Sequence, residues 1–112
     1  MNHPAVLRGA LIGCGFVSRF HLEGWARVPD VRLIALCDLD AVRLRRASAL
    51  APGARLYERA EALLAAERPD FVEIRTRPES HRALVELAAR HGAHVLCQKP
   101  AAPDRADLEA MI

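Results

Sequence analysis

The stretch Leu7-Arg8-Gly9-Ala10-Leu11-Ile12-Gly13-Cys14-Gly15-Phe16-Val17-Ser18 decides how the rest of the chain is read. Leu7 to Ile12 is a short apolar run of the kind that forms a strand buried on both faces. It ends at Gly13. A helical pattern follows from about Val17 to Arg27 and stops near Pro29. A buried strand, a glycine turn and a helix in immediate succession form the first half of a β-α-β unit.

The same alternation continues to the end of the chain. A second strand is expected at Val31 to Cys37 and a helix from about Ala41 to Leu50, broken by Pro52 and Gly53. Asp38 and Asp40 precede that helix, and either is a suitable N-cap. A short strand, Arg55 to Tyr57, leads to a helix from about Ala60 to Glu67, closed by Pro69. The fourth strand is Phe71 to Arg75. A helix from about Glu79 to Arg90 follows Pro78, with Gly92 where a helix C-cap belongs. The fifth strand is Ala93 to Cys97, and Asp104 starts a last helix that is still running at Ile112. Parallel strands need such crossovers, and the crossovers are right-handed. The expectation is an α/β fold, a doubly wound parallel sheet of about five strands with helices on both faces.

A chain of 112 residues builds one hydrophobic core, so residues 1–112 are read as one domain. Apolar residues at 52% and charged residues at 27% fit a folded globular chain and argue against disorder. The apolar runs are too short to span a bilayer, and the first residues lack a signal-peptide pattern. Charge is nearly balanced at +2. The one basic cluster, Arg43, Arg45 and Arg46, follows Asp38 and Asp40, which suits a solvated helix face better than a nucleic-acid surface. Three cysteines without a C-x-x-C pair point to neither a disulfide framework nor a zinc site. A reducing cytoplasm is therefore expected. Of the sixteen basic residues only Lys99 is a lysine.

The glycine turn carries the first functional signal. In the dinucleotide fingerprint the first glycine makes a tight turn and the second lets backbone approach the pyrophosphate. The helix that follows offers unpaired N–H groups to that anion. Ser18 occupies the third position, where Gly or Ala is the rule. The turn alone fits a tight strand-to-helix connection equally well. Asp38, at the end of the second strand and twenty residues after Ser18, is where the fingerprint has a carboxylate for the adenosine ribose hydroxyls. Such a carboxylate repels a 2′-phosphate, which favours NAD, while the neighbouring Arg43 would serve NADP. The competing role for Asp38 is capping the next helix.

These residues fall into a familiar order. The chain resembles the N-terminal domain of the Gfo/Idh/MocA oxidoreductases from Ala10 to about Asp107. The resemblance rests on G-C-G-F (Gly13 to Phe16), His21 with Trp25, C-D-L-D (Cys37 to Asp40), P-D-F-V-E-I (Pro69 to Ile74), T-R-P-E-S-H (Thr76 to His81) and C-Q-K-P (Cys97 to Pro100). It implies a Rossmann-like domain that binds NAD or NADP, followed in the family by an α+β domain absent here. The chain ends before the last strand of such a sheet, so a C-terminally truncated domain is expected.

The resemblance also implies roles. Gly13, Cys14, Gly15, Phe16 and Val17 would form the cofactor turn, with Asp38 at the ribose. The segment with Thr76, Arg77, Pro78 and His81 would pass beside the nicotinamide. Pro78 equally reads as a rigid turn, and His81 as a helix residue packed on that loop. The family's E-K-P appears as Gln98-Lys99-Pro100. Lys99 would contact cofactor and substrate and move a proton at the reacting carbon. A buried lysine can have its pKa lowered into the working range. Gln98 removes the negative charge that the family usually carries beside that lysine. His21 and Trp25, four apart, share a helix face. Trp25 reads as core or cofactor-side packing. Cys14, Cys37 and Cys97 read as small buried hydrophobes rather than a metal site.

The implied function is hydride transfer between nicotinamide and a hydroxyl-bearing carbon of a sugar, cyclitol or related polyol. The whole protein would be a homo-oligomer, without nucleic-acid or membrane partners, and this segment alone would be inactive. The alternative is a non-catalytic dinucleotide-binding sensor or partner-binding module.

Overall fold

Among the described residues five strands and five helices alternate strictly. The computed structural model describes residues 6–15, 18–97 and 102–112. The strands are β1 (Leu7–Ile12), β2 (Val31–Cys37), β3 (Arg55–Tyr57), β4 (Phe71–Ile74) and β5 (His94–Cys97). The helices are α1 (Ser18–Ala26), α2 (Ala41–Ser48), α3 (Ala60–Glu67), α4 (Pro78–Arg90) and α5 (Arg105–Met111). The strands form one sheet in the order β3-β2-β1-β4-β5, and every pair is parallel. The doubly wound α/β sheet expected from the sequence is therefore present.

This order has a consequence for function. The chain starts in the middle of the sheet, winds outward to β3, then returns past β1 to build β4 and β5. The crossovers on the two sides of β1 lie on opposite faces, so the loops after β1 and β4 diverge. A crevice opens at that reversal, at the carboxyl ends of the strands.

Alternation along the strands fills two apolar layers. Ala10, Ile12, Ala35, Cys37, Val72 and Ile74 point to one face, where Leu63 and Leu64 of α3 and Ala88 of α4 cover them. Leu11 and Leu36 point to the other, against Leu22 of α1 and Leu44 and Ala47 of α2. Gly9 fits the second face by having no side chain: a Cβ there would overlap the Phe71 ring. Among the described residues no helix is long and apolar enough to cross a membrane.

Local chemistry decides one cap and moves two element starts. Asp40, not Asp38, caps α2, accepting from the Val42 and Arg43 N–H groups at 2.9 and 3.3 Å. Helix α4 begins on Pro78 itself, whose fixed φ suits the first helical turn and whose missing N–H would find no partner there. Gly92 (φ 75°) follows the His91 C-cap in the left-handed conformation that ends α4, and β5 starts only at His94.

Candidate functional site

Gly13 is fixed by its surroundings. Its φ is +100°, and a Cβ there would lie 2.7 Å from the Arg75 carbonyl carbon and 2.9 Å from the Thr76 nitrogen. Only glycine lets the ends of β1 and β4 come this close. Gly15 is the opposite case. Among the described residues, its chain neighbours aside, nothing lies within 4 Å of where its Cβ would stand. The described packing therefore does not demand the second glycine, and a backbone without a side chain there could admit a ligand.

Asp38 holds the turn from the side. Its Oδ2 accepts the Cys14 N–H at 2.7 Å and its Oδ1 accepts the Asp40 N–H at 2.8 Å. A carboxylate has about four acceptor positions. Two are used on backbone, one per oxygen, and the half-buried side chain still borders the crevice. The arrangement suits a carboxylate that orders a loop and also receives ribose hydroxyls.

The crevice has a volume of about 920 Å³. Gly13, Gly15, Asp38, Thr76 and Arg77 line it together, although they come from three different loops. Arg43 also lines it and forms an exposed ion pair with Asp40 at 3.7 Å. Gly15 in front of open space and Asp38 at the same opening together fit a dinucleotide.

The remaining candidates lie behind this lining. The Cys14 side chain is buried, and its Sγ donates to the Cys37 carbonyl at 3.5 Å. Burial, then the nearby Asp38 charge, pushes the Cys14 thiol up to about 12 and Cys37 up to about 11. Both stay protonated at neutral pH. Among the described residues no group of three or more His, Cys, Asp or Glu is arranged to hold a metal ion. Pro78 starts α4 beneath the loop.

His81 is fully buried and bridges two loops. Its Nε2 lies 2.8 Å from the Thr76 carbonyl, so it must donate there. Nδ1 is then the acceptor in the neutral ring and takes the Cys97 thiol proton at 3.0 Å. This connection ties the loop after β4 to the end of β5, directly before Gln98. The Ser80 hydroxyl adds a bond to the Thr76 hydroxyl at 2.5 Å. Phe16, Val17, Gln98 and Lys99 lie outside the described residues.

Two polar residues escaped the sequence reading, Glu73 and Arg75. Glu73 is a buried acid within the apolar strand F-V-E-I, and Arg75 immediately follows the strand and lines the crevice. The available signal was the charge itself. An acid at a position where periodicity demands an apolar residue needs a partner.

Comparison with known proteins agrees with the geometry. Residues 7–112 match the model of the GFO_IDH_MocA oxidoreductase family, described as its NAD-binding Rossmann fold. A D-apiose dehydrogenase of Paraburkholderia graminis is 51% identical over 94% of this chain and 28% of its own length. An inositol 2-dehydrogenase of Corynebacterium glutamicum is 31% identical over 88% of this chain and 29% of its own. The structure of an oxidoreductase from Agrobacterium radiobacter, in complex with NAD+, L-tartaric acid and magnesium, superposes with a TM-score of 0.91. It shares 43% identity over 96% of this chain and 31% of that one. The chain thus spans about 30% of the length of these relatives. On the match over residues 7–112, the chain belongs to the Gfo/Idh/MocA oxidoreductase family and comprises its NAD-binding Rossmann-fold domain.

Proposed function

We propose that this chain is the cofactor-binding part of an NAD-dependent dehydrogenase acting on a small sugar or polyol. The observation that carries the reading is the pairing of Gly15, with open space in front of it, and Asp38 in one crevice at the sheet's reversal point. Names of relatives support the substrate class: they include D-apiose and inositol dehydrogenases. When bound, the nicotinamide ring supplies or accepts the hydride.

The chain's own residues would do the following. Backbone at Gly13 and Gly15 admits the diphosphate, next to the amino end of α1. Asp38 accepts the adenosine ribose hydroxyls and disfavours a 2′-phosphate. Thr76 and Arg77 border the nicotinamide half, and His81 fixes their loop from behind. Lys99 holds the substrate oxygen and moves its proton. Its ammonium suits that task better than a guanidinium, which does not give up its proton. The three free cysteines are in keeping with a reducing cytoplasm.

The test is a titration of NAD+ and NADP+ against the native protein and Asp38→Ala. Saturable NAD+ binding is expected, weakened by the substitution about tenfold or more, with NADP+ affected less. No NAD+ binding up to millimolar concentration would defeat the cofactor reading. Equal loss for both cofactors would defeat the NAD preference. In the whole protein, Lys99→Ala should cut turnover far more than cofactor affinity, and unchanged turnover would remove its proton-transfer role.

A further inference from the structure

Glu73 sits in the wrong chemical layer. Its sheet neighbours are Leu11 on β1 and Leu96 on β5, and Phe71 shares its face of β4. The side chain is only 9% exposed. An apolar side chain would complete the layer, and a buried carboxylate costs several kcal/mol of desolvation. Its Oε1 recovers part of that cost. It accepts the Trp25 indole N–H at 3.3 Å and lies 3.0 Å from His21 Nδ1. Oε2 has no hydrogen-bond partner among the described residues. The Trp25 ring also packs on Phe71, with centroids 5.0 Å apart. The network thus fixes α1 across β4.

The network ends at a cation on the crevice. Nδ1 of His21 faces a carboxylate and therefore donates. Nε2 is then the acceptor in the neutral ring, and it takes an N–H from Arg75 at 2.5 Å. His21 lies in the first turn of α1, so the guanidinium bonded to it sits beside the helix's amino end. The Arg75 backbone borders the turn too: its N–H donates to the Ile12 carbonyl at 2.8 Å, and its carbonyl abuts Gly13. Arg75 lines the same crevice as Gly13 and Gly15. The His21 ring joins Glu73 to Arg75, so the acid orients the guanidinium through it. A guanidinium presents five donors in a planar fork, a shape that suits phosphate oxygens.

We propose that Arg75 is a cofactor-binding residue that takes an oxygen of the dinucleotide's diphosphate, and that Glu73, His21 and Trp25 are its positioning residues. The proposal rests on the dinucleotide reading above. It assigns a role to the His21–Trp25 pair and explains a buried acid that packing does not.

The test measures NAD+ and adenosine affinity, each at several salt concentrations, for the native protein, Arg75→Met, Arg75→Lys, Glu73→Gln and the Glu73→Gln/Arg75→Met double variant. Arg75→Met should bind NAD+ about tenfold more weakly, with a shallower salt dependence and unchanged adenosine affinity. Arg75→Lys should recover part of the loss, since it keeps the charge but not the planar fork. Glu73→Gln should weaken NAD+ less, and the double variant should bind no worse than Arg75→Met alone, because the acid acts through the arginine. NAD+ binding by Arg75→Met equal to the native protein would overturn the proposal. So would equal loss of adenosine and NAD+, or full additivity in the double variant. Absence of NAD+ binding in the native protein would remove the dinucleotide reading and this proposal together.

Discussion

The two edges of the sheet use the same residue types for opposite ends. At the amino edge, Glu67 closes a knot of partners. The Tyr57 hydroxyl donates to its Oε2, Arg55 meets the same oxygen at 3.3 Å, and Arg8 stands 3.7 Å from Oε1. Arg8 also donates to the Glu67 carbonyl at 2.8 Å, while Asp70 accepts the Arg8 backbone N–H at 2.8 Å. These contacts join β1, β3, α3 and the start of β4. At the carboxyl edge, Asp38 spends one bond per oxygen on backbone, Gly15 faces open space and Arg75 borders a crevice. The difference teaches how to separate structural from functional polar groups here. A knot whose acid is enclosed by cations and a hydroxyl holds elements together, while the acid and cation that border an opening are the ones the proposed reading gives to a ligand.

The strongest way to break the comparison lies within the carboxyl edge. Gly13→Ala places a methyl against backbone and demands a positive φ that alanine resists. It should lower stability by about 3 kcal/mol in urea unfolding and remove NAD+ binding. The Gly15→Ala methyl has no close contact among the described residues beyond its chain neighbours. It should leave unfolding within about 0.5 kcal/mol of native and still weaken NAD+ by an order of magnitude or so. If the two variants behaved alike in both assays, the turn would be a purely structural connection.

Glu67→Gln probes the other edge. Arg8 and Arg55 are 45% and 75% exposed, so solvent screens both ion pairs and their share is small. The part-buried bond with Tyr57 carries more. A loss of about 1–2 kcal/mol is expected, with NAD+ affinity unchanged. A fall in NAD+ affinity at native stability would mean that the amino edge is not merely a brace.

Much of this was legible in the sequence, for a physical reason. Alternating apolar runs and helical periods are local signals, and the glycines of the turn sit beside each other in the chain. All ten elements follow from them, with shifts of a few residues at the ends. What the sequence left open depends on contacts across the fold. Asp38 and Asp40 both had the chemistry of an N-cap, and the choice was made by Cys14, whose N–H needs an acceptor from another loop. His81 faced the same limit: its partners Thr76 and Cys97 meet only once β4 and β5 pair. Glu73 and Arg75 broke the apolar pattern visibly, but His21, which links them, lies more than fifty residues away.

The cysteines give the smallest effect and the cleanest sign. Cys14 and Cys37 lie in the two apolar layers, one on each face, and both carry raised pKa values, about 12 and about 11 against a usual 9. Burial is the main cause, and the Asp38 charge adds to it. A thiol whose folded pKa is raised contributes stability that is fully present below the unfolded value. That stability is lost as pH climbs from about 9 towards the folded value, because the unfolded chain ionises first. Between pH 9 and 10 each thiol should remove about 1 kcal/mol. Cys37→Ala should flatten the alkaline limb by its own share, and Cys14→Ala by its share plus any relief of their mutual repulsion. Unfolding followed by urea at pH 8, 9 and 10 reads the difference directly. An alkaline limb as steep in Cys14→Ala as in the native protein would place that thiol in water rather than beneath the glycine turn. The turn would then lack the packed base on which Asp38 and Gly13 depend.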